Sequence, residues 1–324
     1  MRIYPLLAAL LPLTIASALA LAASGCERRR TPGPSPAPGA AAEPNGERTI
    51  TVDGRDRTFR WHAPAAPELS HPPASQDGKR PLVVMLHGGF GTGEQAEANY
   101  GWDALADAEG FAVAYPDGID RAWSVGGGCC GNPGRDGVDD VAFIRAVVDQ
   151  MRSIVPGGVD PARIYATGIS NGGLMAYRLA CDTDLFAAIG PDSATLLGPC
   201  DQPAPVSVLH IHGTADTRIR MDGERGDGIA RIDGPPVADV VAAWRGVDGC
   251  GPERTVVAGV VSTTSAQCPG ERAVELIAID GAGHQWPGSP SKPLLQKALG
   301  TDEPSTAVDA TATFWAFFAA HPKR

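Results

Sequence analysis

The sequence predicts an α/β domain in which a mostly parallel sheet carries helices on both faces, with an antiparallel hairpin at its N-terminal edge. Two observations carry this reading. Short, continuously apolar runs recur along the chain and alternate with segments of helical periodicity, the pattern of strands buried on both sides by crossover helices. Several of these runs then lead into glycine-bearing turns that present a serine, an aspartate or a histidine.

The hairpin is read from Thr49–Val52 and Thr58–Trp61, which alternate apolar and polar residues around Asp53-Gly54. Pro81–Leu86 and Phe111–Tyr115 are the first covered strands. Arg163–Thr167, Val206–Ile211 and Ala273–Ile279 follow. Between them, Val141, Ile144, Val148 and Met151 recur at helical steps after Asp139-Asp140. Further helices are predicted over 172–181, 237–244 and 307–318, the last capped by Thr306. No repeat and no second shift of composition follows residue 48, so residues 48–324 are expected to form one catalytic domain.

Ahead of that domain, Arg2 supplies a positive n-region and Leu6–Ala22 an apolar stretch interrupted only by Pro12, Thr14 and Ser17. Residues 1–26 are therefore expected to be a signal peptide of lipoprotein type. Ala23-Ser24-Gly25-Cys26 resembles a lipobox, with Cys26 as the lipidated residue and Ala23 where a Leu is usual. Ordinary signal cleavage is the alternative. Residues 27–47 are rich in Pro, Ala and Gly, a composition that buries too little apolar surface to fold and suits a tether.

With 324 residues, 43% hydrophobic and 20% charged, the chain has enough apolar material for a real core. Its formal charge of −10 and lack of a basic block beyond Arg28–Arg30 disfavour a nucleic-acid partner, which would need a cationic face. Contact with a membrane is expected only through the N-terminal anchor. Cys129, Cys130, Cys181, Cys200, Cys250 and Cys268 form an even set in an exported domain and imply disulfides. Cys250 and Cys268 flank a strand-like stretch, Thr255–Val261, and are the first choice of pair. The cysteine spacings do not resemble a zinc site, and no metal is expected.

Gly168-Ile169-Ser170-Asn171-Gly172 fits G-x-S-x-G between a strand and a helix, the context this motif requires. The sharp turn exposes the Ser170 hydroxyl as a nucleophile. That hydroxyl needs a base held by an acid. In the α/β-hydrolase fold the order along the chain is serine, acid, histidine, each at a strand end. Asp216 follows the strand Val206–Ile211 and His284 follows Ala273–Ile279, so both meet that order. Asp192 and Asp201 also lie downstream of Ser170, but neither directly follows a strong strand. His210 and His212 read as hydrogen-bonded structural groups, and His87 as a brace of its loop. The N–H groups of Gly89 and Asn171 are expected to form the oxyanion hole, with Phe90 as the alternative to Gly89. Trp286 and Trp123 are candidate aromatic walls for substrate, or else core residues.

These residues resemble a known family. His87–Gly89, Gly137–Phe143, Tyr165–Gly173, His212–Asp216 and Gly283–Gly288 look like the polyhydroxybutyrate depolymerase and feruloyl esterase group. That group includes bacterial lipoproteins and overlaps the first carbohydrate esterase family. The resemblance spans about residues 48–320 and implies a Ser-Asp-His carboxylic ester hydrolase without metal or organic cofactor. Gln285, where many relatives have Thr, and Ala142, where many have Gly, depart from the pattern without touching Ser170, Asp216 or His284. The substrate classes implied are feruloyl esters, acetylated polysaccharide and hydroxyalkanoate esters. A serine peptidase on the same fold and a non-catalytic binding lipoprotein are the competing readings. The first would call for a propeller or large cap domain, the second for loss of one of the three residues.

Overall fold

The computed structural model describes residues 45–64, 78–294, 296 and 301–324. The expected signal segment, Cys26 and nearly all of the expected tether lie outside these residues. The chain forms β1 (Asn45–Val52), β2 (Arg55–His62), β3 (Arg80–Leu86), α1 (Gly93–Tyr100), α2 (Trp102–Glu109), β4 (Ala112–Pro116) and α3 (Gly131–Arg135). Then come α4 (Asp140–Ile154), β5 (Val159–Ile169), α5 (Asn171–Asp182), β6 (Ala188–Asp192) and β7 (Ser207–Gly213). The series ends with α6 (Val237–Asp248), β8 (Arg254–Ala258), β9 (Val261–Cys268), β10 (Arg272–Ile279) and α7 (Ala310–Ala320).

All ten strands join one sheet in the order β1-β2-β4-β3-β5-β6-β7-β10-β9-β8. The central block from β4 to β10 is parallel, as the apolar runs predict. The hairpins β1–β2 and β8–β9 close its two sides in antiparallel register. The β1–β2 turn has positive φ at both Asp53 and Gly54, which is why this dipeptide signals a hairpin. Every residue of β3 is buried. Leu82, Val84 and Leu86 face a core layer with α4, α5 and α6, whereas Val83 and Met85 face the layer under α1, α2 and α7. Two-sided burial thus follows from the twofold alternation of side chains along a strand that is apolar from Pro81 to Leu86.

Several features depart from the sequence expectation. Strand β6 was not foreseen, because Gly190 and Pro191 interrupt its apolar pattern. Pro191 lacks an N–H and would ordinarily argue against a central strand. Helices α1 and α2 were also missed, since each buries only two residues, Gly93 and Ala96 in the first and Trp102 and Ala106 in the second. Residues 255–261 are not one strand but the tip of the β8–β9 hairpin. The final helix is capped by Asp309, whose carboxylate takes the Ala312 N–H, rather than by Thr306.

All six cysteines of the described region pair, as Cys129–Cys130, Cys181–Cys200 and Cys250–Cys268. The expected Cys250–Cys268 bond, at a sequence separation of 18, staples the base of the β8–β9 hairpin. Loop-closure entropy for such a ring gives about 3 kcal/mol of stabilisation. The hairpin lies beyond β10, at the far side of the sheet from β5. A Cys250→Ser, Cys268→Ser double variant is therefore expected to melt at lower temperature while keeping its ester turnover, as calorimetry and rate assays will check. Normal melting, or lost turnover with normal melting, contradicts this.

Candidate active site

Ser170 sits between the end of β5 and the first turn of α5, with φ 57° and ψ −123°. This is a costly conformation for a residue with a side chain, and it is held from both sides. The Ser170 N–H donates to the Asp192 carbonyl at 2.9 Å, and the Ser170 carbonyl accepts from the Leu174 N–H at 2.9 Å. The flanking glycines are required by space. A Cβ on Gly172 would collide with the carbonyl oxygens of Leu86 and His87. One on Gly168 would strike the Leu86 oxygen and the backbone of Gly172. The motif therefore lets α5 start directly against β3.

Asp216 and His284 come from the loops after β7 and β10, which are adjacent parallel strands. Their loops are tied together where Thr214 N–H donates to the Ile279 carbonyl (3.0 Å) and Ala215 N–H to the Ala282 carbonyl (2.9 Å). Nδ1 of His284 lies 2.7 Å from Oδ2 of Asp216. Oδ1 of Asp216 accepts the N–H groups of Arg218 and Ile219 at 2.8 and 3.0 Å. Burial alone would raise the Asp216 carboxyl. The hydrogen bond and charge of His284, with His212 and the Ile219 N–H, outweigh it and hold the group below the usual carboxylate value. An ionised Asp216 can only accept, so His284 carries its proton on Nδ1 and leaves Nε2 free for chemistry. Since β5, β6, β7 and β10 run parallel and side by side, Ser170, Asp216 and His284 all emerge at one edge of the sheet.

One residue here escaped the sequence reading. Oδ2 of Asp302 accepts the backbone N–H of His284 at 2.7 Å, and only a glycine at 283 leaves room for that carboxylate. Its position 18 residues past His284 gave no periodic or motif signal.

The loop after β3 approaches the same edge. Gly88 lies against Ser170 and Gly89 against Asn171. The Gly89 N–H has no hydrogen-bond partner among the described residues, and the Asn171 N–H is at the first turn of α5, where helix N–H groups have no partner within the helix. Phe90, the alternative donor, is spoken for: its N–H binds the Arg121 carbonyl at 2.8 Å. The His87 ring accepts the Gly118 N–H on Nε2 (3.0 Å) and donates from Nδ1 to the Gly88 carbonyl (2.8 Å), the bracing role expected of it.

Trp123 and Trp286 stand apart from the wall role considered for them, because both rings are buried, at 0% and 1% exposure. Trp123 is clasped by the Asn171 amide, which accepts its N–H (2.6 Å) and donates to its carbonyl (3.1 Å), while its indole N–H reaches the His87 carbonyl (2.9 Å). Trp286 stacks on Tyr100 and donates to Thr311. The aromatic ring left open beside this edge is Phe90, 63% exposed.

The sequence shows no strong strand ahead of Asp192, yet this residue terminates β6, between β5 and β7. Neither of its carboxyl oxygens has a hydrogen-bond partner among the described residues. Burial raises its pKa well above the ordinary value, and the nearby charge of Asp216 adds to this. Both effects favour its protonated form, whereas the partners of Asp216 favour the ionised one.

A parallel sheet with a serine on a strained strand–helix turn and an Asp–His pair at the neighbouring strand ends defines an α/β-hydrolase, and the relatives agree. Residues 66–270 match the family described as Esterase PHB depolymerase, and the chain belongs to that family. It is 35% identical over 293 residues to "Putative esterase NocK" of Nocardia uniformis subsp. tsuyamanensis, covering 82% of this chain and 81% of that protein. It is 31% identical over 260 residues to feruloyl esterase C of Emericella nidulans, covering 76% of this chain and 82% of that one. Among solved structures, an acetyl xylan esterase from Aspergillus awamori shares the fold with a TM-score of 0.56 at 18% identity, covering 85% of this chain and 99% of that one. The protein is a carboxylic ester hydrolase.

Burial keeps the imidazoles of His87, His210 and His212 below the ordinary value of 6.5. The unfolded chain therefore binds more protons than the folded one once the pH falls below about 6.5, and stability rises with pH through that window. The stability these neutral rings contribute is fully present above the unfolded value and is lost as the pH falls towards the folded values. Asp192, whose carboxyl is raised well above the ordinary value, works in the opposite sense, because the folded chain keeps a proton that the unfolded chain has lost. Urea unfolding from about pH 6.5 to about pH 5, where the histidines dominate, is expected to show a falling unfolding free energy. A rise on acidification over that range would show that these rings are not held neutral.

Proposed function

We propose that this chain hydrolyses carboxylic esters through a covalent acyl-enzyme, with Ser170 as nucleophile, His284 as base and Asp216 as the acid that orients it. The observation that carries the reading is the 2.7 Å bond from His284 Nδ1 to Asp216, at the same edge of the parallel sheet as a strained, glycine-packed Ser170. Nε2 of His284 takes the Ser170 hydroxyl proton as Oγ attacks the ester carbonyl carbon. The N–H groups of Gly89 and Asn171 receive the developing oxyanion. The imidazolium, steadied by ionised Asp216, then gives its proton to the departing alcohol. A water molecule repeats the sequence on the acyl-serine and releases the acid.

The substrate class follows the relatives' names more than any pocket. Feruloyl or acetyl esters on polysaccharide, or hydroxyalkanoate esters, are the candidates, and the exposed Phe90 ring suits a flat or apolar acyl group. Three disulfides fit an exported enzyme. An anchor at Cys26, followed by a Pro/Ala-rich tether, would hold the catalytic domain clear of the membrane.

Ser170→Ala is expected to lower the turnover number at least about 10³-fold on any ester the protein cleaves. The same change should abolish fluorophosphonate labelling. Full activity in the purified variant would defeat the mechanism. A rate panel on methyl ferulate, acetylated xylan, hydroxybutyrate oligomers and p-nitrophenyl esters will rank the substrate classes. For the anchor, mass spectrometry of the membrane fraction is expected to give an N-terminus at Cys26 with a diacylglyceryl addition, whereas a soluble form beginning elsewhere indicates simple secretion.

A further inference from the structure

We propose that His212 is a positioning residue for Asp216, and that Tyr177 and His210 form with it a one-way chain of hydrogen bonds that fixes its proton on Nε2. The proposal rests on the reading of Asp216 and His284 as the acid and base of the reaction.

The side chains of Tyr177, His210 and His212 are fully buried between α5 and β7. Burying three polar groups is unfavourable unless each finds partners, and an apolar residue would fill the space at less cost. Here every polar atom is matched. The Tyr177 hydroxyl lies 2.7 Å from Nδ1 of His210. Nε2 of His210 lies 2.9 Å from Nδ1 of His212. Nε2 of His212 lies 2.8 Å from the Ile219 carbonyl and 3.5 Å from Oδ2 of Asp216.

The end of the chain dictates its direction. A carbonyl and an ionised carboxylate can only accept, so His212 must present a proton from Nε2. Burial disfavours the charged ring and so keeps it neutral, which leaves Nδ1 bare. His210 then has to donate from Nε2, and, also held neutral by burial, has to accept on Nδ1. The donor it needs is the Tyr177 hydroxyl, which burial keeps protonated. One arrangement of protons satisfies all three side chains. The opposite tautomer of His212 would set a lone pair against two oxygens.

This chain acts on the turn that carries Asp216. The Ile219 N–H is bound to Oδ1 of Asp216, and the Ile219 carbonyl is bound to His212, so residue 219 is gripped through both its backbone groups. The oxygen His212 approaches, Oδ2, is the one that receives the His284 proton. Without the Nε2 proton, the Ile219 carbonyl loses its partner, the turn loosens, and the Asp216–His284 bond lengthens. An imidazolium less well supported by Asp216 is a weaker acid–base partner in the transition state. It also gives up its proton at lower pH. The titratable groups facing Asp216 are His212 from β7, His284 from the β10 loop and Asp192 from β6, with His210 and Tyr177 behind His212.

The test measures kcat, KM and the pH profile of kcat/KM on a p-nitrophenyl ester for His212→Phe, His212→Gln, Tyr177→Phe and Asp216→Asn, with melting temperatures alongside. His212→Phe is expected to lower kcat about 10- to 100-fold with KM little changed, and to move the acid limb to lower pH. His212→Gln, which can still donate to Ile219, should recover most of that loss. Tyr177→Phe, two links away, should move the same two readouts in the same direction by a smaller amount, and it carries the test should His212→Phe fail to fold. A purely structural chain would lower the melting temperature and leave the acid limb in place, and that result overturns the proposal. Full activity in Asp216→Asn would instead overturn the reading of Asp216 as the catalytic acid.

Discussion

The close approach of α5 to the backbone of β3 is the constraint on which the rest of the edge that carries Ser170 depends. Gly172 stands where any Cβ would enter the carbonyl oxygens of Leu86 and His87, and Gly168 meets the same Leu86 oxygen. Only with both side chains absent can the chain leave β5, reverse at Ser170 with φ 57°, and enter a helix at once. The strain at Ser170 is balanced by hydrogen bonds from its own N–H and carbonyl into β6 and α5. Four neighbours share positive φ without being glycine: Phe90, Asp120, Arg121 and Ser193. Each is fixed by the same edge. Phe90 N–H binds the Arg121 carbonyl, Arg121 N–H binds Gly118, and Ser193 N–H binds Ile211. Five of the eight non-glycine residues with positive φ among the described residues thus lie on these loops, with Asp53, Arg231 and Glu271 elsewhere.

The central strands of this fold were readable because burial on two faces writes a largely apolar run. β3, β4, β5, β7 and β10 each left such a run, and the Asp53-Gly54 turn marked the first hairpin. β6 did not, since its sequence Ala-Ile-Gly-Pro-Asp suits a loop by local preference and becomes a strand only between β5 and β7. Gly190 is tolerated there because Phe314 and Phe318 of α7 fill the space above it. That packing is a tertiary fact with no local trace. The aromatic residues were ambiguous for the same reason. A tryptophan two residues after a catalytic-looking histidine fits a pocket wall and a core equally well, and the ring of Trp286 went to the core with Tyr100 and Phe314.

The Ser170, Asp216 and His284 placements were legible because each depends on a strand end, and strand ends are what apolar runs followed by glycine reveal. The groups that support them were not. Asp302 grips the His284 N–H from 18 residues away, the Asn171 amide holds Trp123 across 48 residues, and His212 works through a carbonyl at Ile219. Contacts of this kind have no period and no fixed spacing. They are visible only once the loops have converged.

Two carboxyls meet at this edge with pKa values displaced in opposite directions, and their surroundings account for both. Asp216 receives two backbone N–H groups and the His284 ring, which together overcome the cost of burial and keep it ionised. Asp192, on the adjoining strand, is fully buried and lies near the charge of Asp216, and both raise its pKa well above the ordinary value. Environments that separate two acids in this way assign their roles without reference to sequence. The ionised one can orient a histidine and support an imidazolium. The donors that favour an ionised carboxylate are therefore gathered at the end of β7 and not at the end of β6, and it is the β7 carboxylate that the His284 ring meets.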